Sequence, residues 1–200
     1  ARAVILWPDT FNDHFHPETL IAAVDVLEHA GYRISVPEPP LCCGRPLYDF
    51  GMLGLAKRQL RRILDTLAPS IEAGTPVVGL EPSCVAVFRD ELIGLFPDDP
   101  AARALHERTF TLGELLDRDP HYSPPRLPRR ALLHGHCHHK AVMGMDAEIR
   151  ILEAMGLTLD RPDTGCCGMA GAFGFEREKY ELSMAIGERV LLPAIREAAE

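Results

Sequence analysis

The tripeptide Cys-Cys-Gly occurs twice, at 42–44 and 166–168, and each copy closes the same succession of elements. An apolar run, 4–7 in the first copy and 131–133 in the second, reads as a buried parallel strand entering a polar loop. A helical stretch follows, 17–30 and then 146–155. Each ends at a glycine, Gly31 or Gly156, suited to a left-handed C-terminal stop. A second strand comes next, 32–36 and 157–159, then a proline-containing loop, then the cysteine pair. Another helix follows each pair, over 53–67 and 180–195. A duplicated strand–helix–strand unit predicts an α/β fold: two pseudo-symmetric lobes, each with a small parallel sheet flanked by helices. The cysteine loops are expected at the carboxyl ends of the strands.

The first copy continues into a third predicted strand, 76–80, that ends in Glu81-Pro82-Ser83-Cys84. Equal spacing would carry the second copy's counterpart of Cys84 beyond Glu200, so the second lobe is expected to be cut before its last strand and cysteine. Where the second copy has Cys137, the first has Thr10. The stretch 110–116 reads as a short helix closing the first lobe. Residues 118–130 hold Pro120, Pro124, Pro125 and Pro128 and read as a linker. The expected organisation is a first lobe over 1–117, the linker over 118–130 and a second lobe over 131–200.

With 46% hydrophobic residues the chain can bury a substantial core, and a net charge of −8 gives no electrostatic case for nucleic acid or an anionic membrane. The longest apolar runs are far too short for a transmembrane segment, and the chain starts without the features of a signal peptide. Six cysteines at these spacings fit a reducing cytoplasm better than a secreted disulfide scaffold.

Adjacent cysteines are poor disulfide partners, because pairing them strains the intervening peptide. They are good ligands to a soft multi-iron centre. Candidate metal ligands are therefore Cys137, Cys166 and Cys167, with Cys42, Cys43 and Cys84 as a second set. The segment His134-Gly135-His136-Cys137-His138-His139-Lys140 offers zinc as an alternative. In an extended strand, however, residues 136 and 138 point away from 137 and 139, and no standard four-ligand spacing is present. His136, His138 and His139 are instead expected to hydrogen-bond the loop and tune a neighbouring centre. Arg45 and Glu81 flank the first cysteines and suggest an ion pair bracing two loops or tuning a redox site. The glycine-rich stretch 168–174 lacks the G-x-G-x-x-G setting of a nucleotide loop and is expected to pack against the second pair. Ser83 lacks a nucleophile-elbow context.

Cys42-Cys43-Gly44-Arg45-Pro46-Leu47, Glu81-Pro82-Ser83-Cys84, the His134–Lys140 stretch and Gly165-Cys166-Cys167-Gly168-Met169-Ala170-Gly171 together resemble the cysteine-rich, or CCG, domain. That domain is found in the B subunit of heterodisulfide reductase, the iron–sulfur subunit of glycolate oxidase and the C subunit of anaerobic glycerol-3-phosphate dehydrogenase. The motifs are most similar to the C-terminal region of bacterial fusions joining an FAD-binding oxidase to an iron–sulfur oxidoreductase, of D-lactate, glycolate or D-2-hydroxyglutarate dehydrogenase type. The resemblance implies an electron-transfer domain. FAD and ferredoxin-like clusters would lie in partner domains, a quinone or another electron acceptor would follow, and the setting would be cytoplasmic or peripheral at the inner membrane. It also implies a 4Fe-4S cluster on Cys137, Cys166, Cys167 and a cysteine further on. Thr10 and the single thiol of Ser83-Cys84 depart from the fuller motif, so Cys42, Cys43 and Cys84 would hold a second site with a non-cysteine ligand or be structural. Two other readings stand beside this one: a structural zinc or docking module, and a metal-free thiol redox module.

Overall fold

The structure is a computed structural model and describes residues 2–199. By internal contacts the chain forms two compact units. One comprises the chain up to Ser123 together with His138–Glu148, and the other comprises Pro124–Cys137 and the chain from Ile149 onward. The boundaries expected from the sequence had put 138–148 with the second lobe.

The first unit is built on a parallel four-stranded sheet of β1 (Arg2–Trp7), β2 (Tyr32–Ser35), β3 (Val77–Gly79) and β4 (Thr109–Thr111), in the order β2-β1-β3-β4. β1 is apolar on both faces because both faces are covered. Side chains alternate across the sheet, so Ile5 and Trp7 join Val77 on one face. There they pack on Leu60, Ile63, Leu64 and Leu67 of the Leu53–Glu72 helix and on Leu105 of the Pro100–Arg108 helix. Val4, Leu6 and Val78 take the other face, against Ala23 and Leu27 of the Pro17–His29 helix and Leu115. Trp7 meets Phe88 edge-on, with ring centroids 4.9 Å apart. The sheet edge is tied by Arg2, which lies over the Tyr32 ring and pairs with the buried Asp119 at 2.5 Å.

β4 falls where a helix was expected. Thr109 and Thr111 are buried in the sheet, and Thr111 is also the cap of the Leu112–Asp117 helix. Its hydroxyl accepts from the Glu114 amide while Glu114 accepts from the Thr111 amide. The capping box therefore marks a strand-to-helix junction, and only its helical half was legible. The helix expected over 53–67 runs on to Glu72 through Pro69.

The second unit holds β5 (Arg130–Leu132) and β6 (Thr158–Asp160), paired in parallel with Arg130 opposite Thr158 and Leu132 opposite Asp160. The helix expected over 180–195 is two, Tyr180–Gly187 and Leu191–Ala199. No helix among the described residues is long and apolar enough to cross a membrane.

Candidate metal centre

In an open parallel sheet, ligands are taken up outside the carboxyl ends of the strands, at the point where the strand order reverses. Here β1 leads to β2 on one side and the chain later returns to β3 on the other, so the reversal lies between β1 and β3. Asp9 and Thr10 follow β1, and Glu81–Cys84 follow β3. Asp9 is buried and accepts from the Asn12 amide at 3.0 Å, which starts the Thr10–His14 helix and fixes Thr10 at its first position. Glu81 caps the Pro82–Ala86 helix. Its carboxylate accepts from the Ser83 amide at 3.0 Å and the Ser83 hydroxyl at 2.6 Å, which places Cys84 in the first turn.

The first cysteine pair arrives at this point. Gly44 adopts φ +82°, open to glycine at little cost, and turns the chain from the pair into the Arg45–Asp49 helix. Gln59 holds the loop from behind by donating to the Cys42 carbonyl at 2.9 Å. The outcome is a gathered set of thiols. Cys43 and Cys84 are buried with their sulfurs 3.0 Å apart, and exposed Cys42 contacts both Cys43 and the Thr10 hydroxyl. Thr10, the residue standing where the second copy has Cys137, thus sits at the thiol set.

Crowding raises the proton affinity of Cys42 and Cys43. Contact with Cys43, then burial, pushes Cys42 well up, against the Gly44 amide and the Thr10 hydroxyl. For Cys43, the contact with Cys42 lowers it but is outweighed by the contact with Cys84 and by burial. Cys42 and Cys43 are thereby held protonated, whereas metal ligation needs thiolates.

The ion pair expected between Arg45 and Glu81 is formed differently. Glu81 is occupied as a cap, and Arg45 pairs with Glu91, contacts Asp49 at 3.4 Å, and donates to the Ser83 carbonyl at 3.4 Å. Arg45 therefore does brace the Cys-Cys-Gly loop to the Cys84 loop, through a backbone carbonyl. Glu91 reaches it from a π-helical turn, Val87–Glu91, that also carries Phe88 onto Trp7. Two buried N–H donors beside this set, Trp7 Nε1 and Arg45 Nε, have no hydrogen-bond partner among the described residues. Trp7 shares a packed cluster with Cys43 and Cys84. Three soft donors and two N–H groups seeking acceptors suit a sulfide-rich anionic centre. The set is nevertheless closed as it stands: two thiolates on one tetrahedral ion with bonds of about 2.3 Å lie roughly 3.8 Å apart. Among the described residues no group of three or more His, Cys, Asp or Glu is arranged around a single ion.

The second unit repeats the loop. The Gly168 amide faces the Cys166 sulfur at 3.4 Å, as Gly44 does Cys42, and Gly168 has φ +94°. A Cβ on Gly168 would collide with the Ser183 carbonyl oxygen, and the Ser183 hydroxyl donates to the Gly168 carbonyl at 2.9 Å. The Tyr180–Gly187 helix thus lies directly on the loop. Cys166 and Cys137 are exposed and Cys167 is half-buried. His134 and Thr164 link the loops after β5 and β6, Nδ1 to Oγ1, at 2.6 Å.

The histidine run is not extended throughout. His138 is helical and His139–Met143 form a π-helical turn, so the alternation used to pair 136 with 138 ends before His138. His139 is buried in the first unit, its Nε2 3.1 Å from Glu148, and Thr111 donates to the same carboxylate. Burial raises the Glu148 carboxyl, but His139 and Thr111 outweigh it and hold the carboxyl below its ordinary value. Glu148, Thr10, Gln59, Glu91 and Ser183 were absent from the sequence-based site. Their only sequence signal was the alignment of Thr10 with Cys137.

The profile of the cysteine-rich domain, CCG, matches residues 9–89 and 134–199. The D-2-hydroxyglutarate dehydrogenase of Pseudomonas putida is 29% identical over 94% of this chain, which spans 18% of that protein. Lactate utilization protein A of Bacillus velezensis is 30% identical over 89% of the chain and 76% of its own length. The C subunit of the anaerobic glycerol-3-phosphate dehydrogenase of Escherichia coli is 28% identical over 88% of the chain and 46% of its own length.

Proposed function

The chain belongs to the cysteine-rich CCG domain family, and from that premise we propose that it is the iron–sulfur electron-transfer part of a flavin-dependent 2-hydroxy-acid dehydrogenase. Its relatives include dehydrogenases and a dehydrogenase subunit, which supports an oxidoreductase setting. Substrate oxidation, FAD and ferredoxin-like clusters belong, on this reading, to partner domains. The acceptor is a quinone or another carrier, met on the cytoplasmic side of the inner membrane.

The observation that carries the reading is the gathering of Cys42, Cys43 and Cys84 at the reversal point of the first sheet. A bound 4Fe-4S cluster would supply one-electron transfer. We assign Cys137, Cys166 and Cys167 as its ligands together with a further donor, and Cys42, Cys43 and Cys84, with Thr10 beside them, as a second set. The chain's own contribution is positional. The Gly44 and Gly168 amides face the first sulfur of each pair. Arg45 and the Glu81 cap hold Cys43 and Cys84 together. His136 adjoins Cys137 in the second unit, whereas His138 and His139 belong to the first, where Glu148 holds His139.

The test is made on the intact flavin-containing protein under anaerobic conditions. Adding D-2-hydroxyglutarate or D-lactate should bleach the flavin and raise a reduced-cluster paramagnetic resonance signal. Cys166→Ser should keep the bleaching and lose one cluster's share of that signal. Stoichiometric zinc in place of the iron at the sites sensitive to Cys166→Ser, in anaerobically prepared protein, would overturn the reading.

A further inference from the structure

We propose that Cys43 and Cys84 form an oxidative modification site: in the metal-free protein, hydrogen peroxide closes them into a disulfide and leaves Cys42 as a thiol. The inference holds whichever metal the thiols accept, since it concerns the protein without one.

The geometry selects this pair. Their sulfurs are 3.0 Å apart and both side chains are buried. A disulfide bond of about 2.05 Å requires an approach of about 1 Å, within reach of side-chain rotation. Cys42 also touches Cys43, but the two are neighbours in sequence, and a ring through one peptide bond is strained. Cys43 and Cys84 come from loops 41 residues apart, and no such ring constrains them. Both loops are held: the first by Gln59 on the Cys42 carbonyl, the second by the Glu81 cap, and the two together by Arg45 on the Ser83 carbonyl. The contact is thus a fixed juxtaposition of two thiols in an apolar cluster with Trp7 and Phe88.

The chemistry balances with peroxide as the oxidant. One sulfur attacks a peroxide oxygen through its thiolate form, the O–O bond breaks, and a sulfenic acid forms with release of water. The second thiol then attacks that sulfur, the S–S bond forms, and the hydroxyl leaves with the remaining proton as a second water. Two electrons pass from the sulfurs to the peroxide oxygens, and both thiol protons end in water. Peroxide is close to water in size, and the buried pair borders exposed Cys42. A thiol reductant reverses the change.

The test uses the metal-free chain, treated with peroxide, denatured, alkylated and digested with trypsin. Cys42 and Cys43 fall in peptide 34–57, since Arg45 precedes a proline, and Cys84 falls in peptide 63–89. The expected result is a 34–57/63–89 cross-link in the wild type and in Cys42→Ser, released by dithiothreitol and lost in Cys43→Ser and Cys84→Ser. Three results would overturn the proposal: a bond confined to peptide 34–57, a cross-link that persists in Cys43→Ser but not in Cys42→Ser, or full alkylation of all six cysteines.

Discussion

In both Cys-Cys-Gly loops the glycine amide faces the sulfur of the first cysteine, and the glycine takes a left-handed conformation, φ +82° at Gly44 and +94° at Gly168. The surroundings diverge. Gly44 has room: an added Cβ would come no nearer than 3.4 Å to the Gln59 side chain. Gly168 has none, because the Ser183 carbonyl occupies the place of the missing side chain. The first cysteine of each pair, Cys42 or Cys166, is exposed, but the first loop delivers Cys43 into a core that already contains Cys84, Trp7 and Phe88, while its counterpart Cys167 is only half-buried. The local motif therefore determines how a cysteine pair is presented. The number of strands and helices around it determines whether the thiols are enclosed.

Alanine substitution separates the two loops most sharply. Gly168→Ala combines a backbone clash with a strained φ and should destabilise the second unit by about 3 kcal/mol or more. Chemical denaturation reads this directly, and near-neutrality would break the comparison. Arg45→Met leaves Glu91 buried without its partner and should cost about 3 kcal/mol in the first unit. Gly44→Ala carries only the left-handed strain, about 1–2 kcal/mol. A cost equal to that of Gly168→Ala would mean that the loops are equally confined.

The smallest effect is acid-dependent and confined to the first unit. Arg2, chiefly through its hydrogen bond, holds the Asp119 carboxyl down to about 2 from 3.8. A depressed carboxyl stabilises the fold fully above the unfolded value and loses that contribution as pH falls through the folded one. Asp119→Asn should therefore be less stable than wild type at pH 7, with the gap closing between pH 3.8 and about 2. A gap as large at pH 2 as at pH 7 would assign the effect to packing.

Much of the fold was legible because the strands announce themselves by burial. β1, β2 and β3 were expected from apolar runs and stand within a residue or two of the expected places. β4 was not, since a three-residue Thr-Phe-Thr strand has no period to detect and its last residue doubles as a helix cap. The helix expected over 53–67 continues through Pro69 to Glu72. The cysteines and their loops could be named from the sequence, but their partners could not. Glu91 is brought to Arg45 by a π-helical turn with no sequence marker, and Glu148 is met by His139 and Thr111 from other elements. Those contacts depend on how far each element is rotated and bent, which a periodicity does not encode.

The central claim is that the Cys-Cys-Gly thiols ligate an iron–sulfur centre. Iron, acid-labile sulfide and zinc, measured on anaerobically prepared intact protein and on Cys166→Ser and Cys43→Ser, test it most directly. The account predicts about four irons and four sulfides per cluster, with one cluster's content lost in Cys166→Ser. Absence of iron from the variant-sensitive sites, with one tightly held zinc in its place, would contradict it.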